Sequence, residues 1–188
     1  MRKLVYAINT TLDGCVDHTK FYPTEETMGF FTRLTREADT FLYGRKTYEL
    51  MVPYWPDVAK DHPGQDDRGA DIEFARAFDA VEKIVVFSQS LDSPEGEKMR
   101  MVGTGLRDEV LKMKQEQGKN IFTGGVALAS QLADLGLIDE YYIVVHPLVV
   151  GEGTRLFEGI NLQEKLQLKL VESTVFKSGA VGLRYVKE

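Results

Sequence analysis

The sequence is poor in cysteine and has no long hydrophobic run. Cys15 is the only cysteine among 188 residues, which excludes an intrachain disulfide and a zinc site built from several cysteines. The longest apolar stretch, Tyr141 to Val150, is interrupted by His146 and Pro147 and is far below membrane-spanning length. The first residues lack the apolar core and the cleavage site of a signal peptide. We therefore expect a cytoplasmic protein without a membrane segment.

Positive charge is also scarce. Lys and Arg total 23 against 29 Asp and Glu, which gives a formal net charge of −6. This balance argues against a non-specific nucleic-acid-binding protein, because such proteins usually carry a basic surface. It does not exclude an anionic small ligand, since a few local cations suffice to bind one. The length fits a single domain over residues 1–188, with no repeat and no inter-domain linker.

Strand-like and helix-like segments alternate along the chain. The β-prone runs are short and occupy residues 3–8, 40–43, 83–87, 99–102, 120–122 and 141–145. Helical patterns separate them, at 25–38, from about 46, at 71–79, at 106–117 and up to 135, while 53–69 is predicted to be a long loop. This order predicts a mostly parallel sheet with helices on both faces. Two last β segments, 166–176 and 181–186, predict a C-terminal antiparallel hairpin.

A glycine and two cations stand where the second predicted strand meets a helix. Gly44 would let a ligand come close to the backbone, and Thr47 and the first helix amides could donate to a phosphate oxygen. Arg45 and Lys46 would place positive charge beside such an anion. The alternative interpretation is a surface helix cap with two solvated cations.

A second glycine-containing turn, Thr123-Gly124-Gly125, also follows a strand and precedes a helix. Paired glycines there would allow a pyrophosphate to lie against backbone amides, although a tight turn for close helix–sheet packing is the alternative. Ser88 and Gln89 follow a third strand, as a ribose-phosphate contact or as a polar turn. Ligands of open α/β sheets collect at the carboxyl ends of the strands, where all three segments would lie.

In this order the segments resemble the dihydrofolate reductase superfamily, most of all the branch related to the reductase domain of the bifunctional riboflavin-biosynthesis deaminase-reductase. The resemblance begins at Thr11-Leu12-Asp13-Gly14, reaches Phe157 and covers nearly the whole chain. It implies a dihydrofolate-reductase-like three-layer α/β/α fold, with a mostly parallel mixed sheet and a C-terminal antiparallel hairpin. It also implies NADPH as the hydride donor.

The same resemblance implies the roles of individual residues. The cofactor contacts that it implies are Gly44, Arg45, Lys46 and Thr47 for the adenosine-side phosphates, Ser88 and Gln89 beside the adenosine, and Thr123, Gly124, Gly125 and Val126 for the pyrophosphate and nicotinamide ribose. The substrate side of the cleft is predicted to include Gly151, Thr154 and Arg155. The chain departs from true dihydrofolate reductases, because the place that matches their pterin-binding carboxylate falls near Met28, and the nearest acids, Glu25 and Glu26, lie about one turn earlier. It also lacks the His-x-Glu and Pro-Cys-x-x-Cys motifs of the deaminase half.

Three further residues are candidates for the chemistry. Asp13 follows the first strand next to a glycine, and Glu26 lies in the first turn of the first helix; each could supply a proton, and water is another source. The competing interpretations are a turn-forming Asp and a helix-capping Glu. Trp55 could cover a planar substrate or merely anchor its loop. No metal site is expected.

The sequence thus predicts an NADPH-dependent reductase of a small planar heterocycle. The resemblance suggests the step that reduces 5-amino-6-(5-phosphoribosylamino)uracil, or a relative of dihydrofolate reductase. The alternative functions are a non-catalytic NADPH- or nucleotide-binding sensor and a structural scaffold. The predicted hairpin would leave an exposed sheet edge, which favours a homodimer.

Overall fold

One eight-stranded sheet forms the framework of the computed structural model, which describes residues 1–60, 69–89 and 97–188. In chain order the strands are β1 Leu4–Thr11, β2 Ala38–Gly44, β3 Lys83–Phe87, β4 Met99–Val102, β5 Asn120–Thr123, β6 Glu140–His146, β7 Leu168–Val175 and β8 Val181–Lys187. Their spatial order is β4-β3-β2-β5-β1-β6-β8-β7. The first six strands in this order are parallel, and β8 runs antiparallel to both β6 and β7.

Helices cover both faces of the sheet. They are α1 Glu25–Arg36, α2 Arg45–Met51, α3 Trp55–Val58, α4 Gly69–Asp79, α5 Leu106–Gln115 and α6 Ala127–Asp134, with a 3-10 turn at His18–Lys20. Apolar side chains of α1 and α4 pack in one core layer, and those of α5 and α6 pack in the other. The predicted three-layer fold, the parallel sheet and the C-terminal hairpin are confirmed.

The two core layers follow from the pleat of the strands. Successive side chains of a strand point to opposite faces. In β1, Val5 and Ala7 therefore enter the layer of α1, whereas Leu4 and Tyr6 enter the layer of α5 and α6. A parallel strand that is buried on both faces reads as a continuous apolar run, which explains why the central strands could be located from sequence.

The first helix begins where the sequence indicates. Thr24 is its N-cap and accepts a hydrogen bond from the amide of Thr27, whose hydroxyl accepts one from the amide of Thr24 at 2.8 Å. Met28, Phe31 and Leu34 then recur at helical spacing and are buried against the sheet. This packing fixes α1 against the sheet, and the chain continues from the end of α1 into β2.

Several boundaries differ from the predictions. β1 continues three residues beyond its predicted end, because Asn9 and Thr11 remain paired with Val144 and His146 of β6. The predicted loop at 53–69 contains the short helix α3, and α4 begins already at Gly69; residues 61–68 of that loop lie outside the described residues. Within the described ranges no helix has the length and apolar character needed to span a bilayer.

Candidate functional site

The carboxyl end of β5 lies in a notch between two longer strands. Thr123, the last residue of β5, is level with Tyr6 in β1 and Leu42 in β2. Both neighbours run further, β1 as far as Thr11 and β2 as far as Gly44. Because all these strands are parallel, their carboxyl ends meet at one edge of the sheet, and the turn after β5 fills the notch.

Hydrogen bonds hold the turn after β5 in place. The buried hydroxyl of Tyr6 donates to the carbonyl of Gly125 at 2.9 Å, and the hydroxyl of Thr123 donates to the carbonyl of Leu42 at 2.7 Å. Burial raises the pKa of Tyr6 far above its usual value, so this phenol stays neutral and keeps its donor proton. The backbone of the turn is therefore fixed before any ligand arrives.

The two predicted phosphate motifs are in direct contact. Gly125 has a φ of +80°, and a Cβ built on it would overlap Thr47 Oγ1 and lie 3.5 Å from Thr47 Cβ. Gly44 approaches α6 closely, since a Cβ on it would lie 3.3 Å from Cβ of Leu128. Glycine at 44 and 125 thus allows the start of α2, the turn after β5 and the start of α6 to pack together.

Positive charge borders this contact. The guanidinium of Arg45 is half-exposed and donates from Nε to Glu49 Oε1 at 2.7 Å, and Lys46 is exposed. Ser88 follows Phe87, the residue of β3 that lies level with Gly44, so Ser88 and the exposed Gln89 lie at the same edge. The predicted cofactor-binding residues that follow β2, β3 and β5 therefore all lie at the carboxyl ends of the strands, at one edge of the sheet.

The loops after β1 and β6 are joined through Asp13. Its Oδ2 accepts hydrogen bonds from Arg155 Nη1 and from the amide of Gly151, both at 2.8 Å, and Oδ1 accepts one from the hydroxyl of Thr11. Arg155 Nη1 also donates to the carbonyl of Asp13 at 2.6 Å. The hydrogen bond from Arg155, followed by those from Thr11 and Gly151, lowers the pKa of Asp13 well below its usual range.

This arrangement, which we call the Asp13–Arg155 clamp, bears on two predicted roles. A carboxylate with a lowered pKa is ionised at neutral pH, so Asp13 has no proton to donate. Nη1 of Arg155 forms an ion pair with Asp13 and is therefore not available to a ligand. The geometry therefore supports a structural role for Asp13. It agrees with the turn-forming interpretation and adds that Asp13 also joins the β1 loop to the β6 loop.

The rest of the β6 loop packs along the β1 loop. The carbonyl of Thr154 accepts a hydrogen bond from the amide of Val16 at 3.0 Å. Gly153 lies against the buried thiol of Cys15, because a Cβ on it would come within 2.8 Å of Sγ. Cys15 is therefore a small buried residue. The segment 151–155, which contains the predicted substrate residues, lies along the loop after β1.

Glu26 and Trp55 make contacts that join neighbouring elements. Glu26 Oε2 accepts a hydrogen bond from the amide of Lys177 at 2.8 Å, which ties α1 to the turn between β7 and β8. The indole of Trp55 donates to Met51 Sδ at 3.4 Å and lies edge-on to Phe74 with ring centroids 4.6 Å apart. The contacts of Trp55 support its interpretation as a loop anchor, and Glu26, in the first turn of α1 as a helix-capping residue would be, also joins α1 to the β7–β8 turn.

A polar pair at the ends of β1 and β6 was not predicted. His146 Nε2 lies 2.9 Å from Asn9 Oδ1, and the ring of Phe21 stacks on the imidazole at 4.6 Å. The sequence predicts that the first strand ends at residue 8, before Asn9, and that the sixth ends at residue 145, before His146. The two residues meet only because β1 extends to Thr11. The polar residues Asn-Thr-Thr at 9–11 do not indicate a strand, so this extension could not be predicted from the sequence.

Sheet order and helix layers define a dihydrofolate-reductase-like α/β protein. The chain belongs to the RibD C-terminal domain family, which matches residues 2–181. The uncharacterized protein YyaP of Bacillus subtilis is 30% identical over 189 residues, covering 98% of this chain and 94% of its own length. The family resemblance inferred from the motifs is therefore confirmed.

Two solved structures show how far the fold is shared. The dihydrofolate reductase of Enterococcus faecalis, complexed with NADP(H) and RAB-propyl, has a TM-score of 0.65 at 14% identity, with 99% of this chain and 96% of that chain covered. A diaminohydroxyphosphoribosylaminopyrimidine deaminase/5-amino-6-(5-phosphoribosylamino)uracil reductase of Thermotoga maritima has a TM-score of 0.67 at 14% identity. It is matched over all of this chain and 57% of its own. At these identities the likeness concerns the fold.

Proposed function

We propose that this chain is a cytoplasmic, NADPH-dependent reductase of a small planar heterocycle. The observation that supports this most is the contact between Gly125 and Thr47 at the carboxyl edge of the sheet. It brings a glycine turn, the first residues of α2 and two exposed cations within reach of one extended anion. Separated motifs could not serve a single dinucleotide.

The residues present fit a doubly phosphorylated dinucleotide. The turn at Gly124 and Gly125 carries no side chain beyond Cα, so its backbone amides would be the groups that contact a pyrophosphate. Arg45, whose forked guanidinium suits a phosphate monoester, would contact the additional phosphate that distinguishes NADPH from NADH. When bound, NADPH would supply the hydride for the reduction.

The chain's own groups would then hold the two reactants together and exclude water. The notch between β1 and β2 leads from the Gly124 turn towards the loops joined by the Asp13–Arg155 clamp, which would form the mouth of the cleft. Both predicted acids, Asp13 and Glu26, are engaged in protein contacts. We therefore propose that the proton comes from water rather than from either carboxylate.

The substrate class rests on the family and on its named relatives. The Thermotoga maritima protein carries the name of a uracil-ring reductase, and the Enterococcus faecalis protein is a dihydrofolate reductase. We propose a planar oxo-heterocycle of the same kind, with 5-amino-6-(5-phosphoribosylamino)uracil or a related pyrimidine as the first compounds to test.

The engagement of both carboxylates also favours a second candidate, a sensor that binds NADPH without turnover. Oxidation of NADPH across a panel of pyrimidines and pteridines separates the two functions. Turnover of any member supports the reductase, and tight NADPH binding with no turnover of the panel supports the sensor.

The decisive experiment titrates NADPH and NADH into wild type and Arg45→Ala. Removing a charge-assisted hydrogen bond costs about 1.5–3 kcal/mol, so the Kd for NADPH should rise about 10- to 150-fold while that for NADH changes little. The matched control is Arg76→Ala, which removes an equally exposed arginine paired with Glu73 on α4. Equal weakening of both nucleotides, or no binding of either to wild type, would refute the proposal.

A further inference from the structure

The carboxyl ends of β1 and β6 present one polar pair to the layer of α1. Val5 and Ala7 face that layer, so the alternation of the strand places Asn9 there as well. Val144 of β6 also faces it, and His146 follows two residues later. The two side chains meet, with His146 Nε2 at 2.9 Å from Asn9 Oδ1.

The chemistry of the two groups fixes their roles. An amide oxygen only accepts hydrogen bonds, so His146 Nε2 carries the hydrogen and donates a hydrogen bond to Asn9 Oδ1. Burial lowers the pKa of His146, which keeps the imidazole neutral at physiological pH. Asn9 retains two N–H donors on Nδ2, and no residue in the described part of the chain accepts a hydrogen bond from them. Asn9 is only partly buried, so part of the residue remains exposed at the surface.

Phe21 packs against the imidazole of His146. Its ring is buried and stacks on the imidazole at a centroid distance of 4.6 Å and an interplanar angle of 14°. Phe21 packs on His146, and His146 in turn fixes the amide plane of Asn9 through the hydrogen bond. A donor held in this way loses little freedom when it binds, which is the usual property of a specificity-determining group.

The pair lies next to the proposed cofactor turn. The carbonyl oxygen of Ala7 lies 3.5 Å from where a Cβ on Gly124 would be, so β1 passes directly beside that turn. Asn9 follows two residues later, about 6–7 Å further along the strand towards the edge. The buried side chains of the facing helix carry no charge: they are apolar residues such as Met28 and Phe31, and Thr27, Thr32 and Thr35.

We propose that Asn9, oriented by His146, is the residue that selects the substrate, by donating from Nδ2 to a carbonyl oxygen of an uncharged planar oxo-heterocycle. This inference rests on the proposed reductase function and names the edge of the substrate that the cleft recognises. Asn9 contacts the substrate, and His146 is a positioning residue.

The test compares two pteridines that present opposite groups at positions 2 and 4. Pteridine-2,4-dione presents two carbonyl oxygens, and 2,4-diaminopteridine presents amino donors at the same positions. Each is titrated into NADP+-saturated protein and followed by fluorescence. Wild type should bind the dione about 2- to 12-fold more tightly, the range expected for one neutral hydrogen bond.

Asn9→Asp should reverse this preference. The variant keeps an oxygen that accepts from His146 but replaces the donor with a second acceptor, which suits the diamino probe. The matched control is Asn120→Asp on β5, since Asn120 starts its strand at the opposite edge of the sheet; its preference should stay that of wild type. Both variants should still bind NADPH.

The outcomes separate this inference from the proposed function. If Asn9→Asp keeps the wild-type preference while NADPH still binds, Asn9 does not read the substrate and only this inference falls. Binding of neither probe to wild type also overturns it. Loss of NADPH binding in wild type instead overturns the proposed function. Should Asn9→Asp fail to fold, Asn9→Ala replaces it: the preference should fall towards one, and an unchanged ratio is contrary to the inference.

Discussion

Replacing Gly125 by Ala tests the contact that joins the two phosphate motifs. A Cβ at this position meets two penalties, a φ of +80° and overlap with Thr47 Oγ1. The positive φ costs about 1–2 kcal/mol for a residue with a side chain, and overpacking costs a further 1–3 kcal/mol or so. Gly125→Ala should therefore lower the free energy of unfolding by about 2–5 kcal/mol, and Tm by about 4–20 °C.

Two controls separate these penalties. Gly159 has a φ of +79° and open space around its Cβ position, so Gly159→Ala should show the backbone cost alone. In a Thr47→Ala background the nearest remaining contact of the new Cβ would be an ordinary 3.5 Å, so Gly125→Ala should there cost no more than Gly159→Ala.

Urea unfolding measures the stabilities, and NADPH titration measures the effect on the site. The affinity for NADPH should fall in Gly125→Ala and not in Gly159→Ala. If Gly125→Ala and Gly159→Ala lower the free energy of unfolding equally in the wild-type background, the turn does not contact Thr47. The two segments would then not form one cofactor site.

Two further predictions concern the mouth of the cleft and the edge of the sheet. Because its hydrogen bonds lower the pKa of Asp13, its contribution to stability is present above the ordinary value near 3.9 and is lost only as pH falls further. The Tm difference between wild type and Asp13→Asn should thus be constant from about pH 8 to pH 5 and shrink only in stronger acid; a difference that disappears near pH 6 would contradict this. We also propose that β7 mediates a homodimer, since Val171 and Val175 are 44% and 76% exposed. Light scattering should then give about twice 21.2 kDa for wild type and the monomer mass for a Val171→Lys, Val175→Lys variant, whereas a monomeric wild type refutes the dimer.

Much of the fold could be predicted because its signals are local. The central strands are buried on both faces, so their apolar runs are visible without knowledge of the partners. Thr24 and Gly136 mark helix ends by capping chemistry that needs only neighbouring residues, and Gly136 does adopt the left-handed φ of +64°. These are the features for which sequence pattern and tertiary structure coincide.

The parts of the site that could not be predicted depend on contacts between distant residues. Residues 9–11 have little apolar character, and only pairing with β6 keeps them extended. Asp13 and Arg155 are 142 positions apart, so their ion pair left no local signal, and each was assigned a separate role in binding or catalysis. The two glycine segments could be singled out because glycine at a strand end is informative by itself, but their mutual contact depends on the sheet order.

The polarity of the cleft indicates what kind of substrate the chain would accept. Dihydrofolate reductases carry a carboxylate on the first helix that binds the pterin ring; counted back from Gly44, the matching place here falls near the buried Met28, and the nearest acids, Glu25 and Glu26, lie about one turn earlier. In our proposal the amide of Asn9 on β1 meets the substrate instead, and its Nδ2 groups are donors rather than acceptors. A ring rich in amino groups would leave these donors unpaired, which costs binding free energy. A ring rich in carbonyl oxygens would satisfy them, so a reductase with this cleft should act on oxo-heterocycles and discriminate against diamino inhibitors.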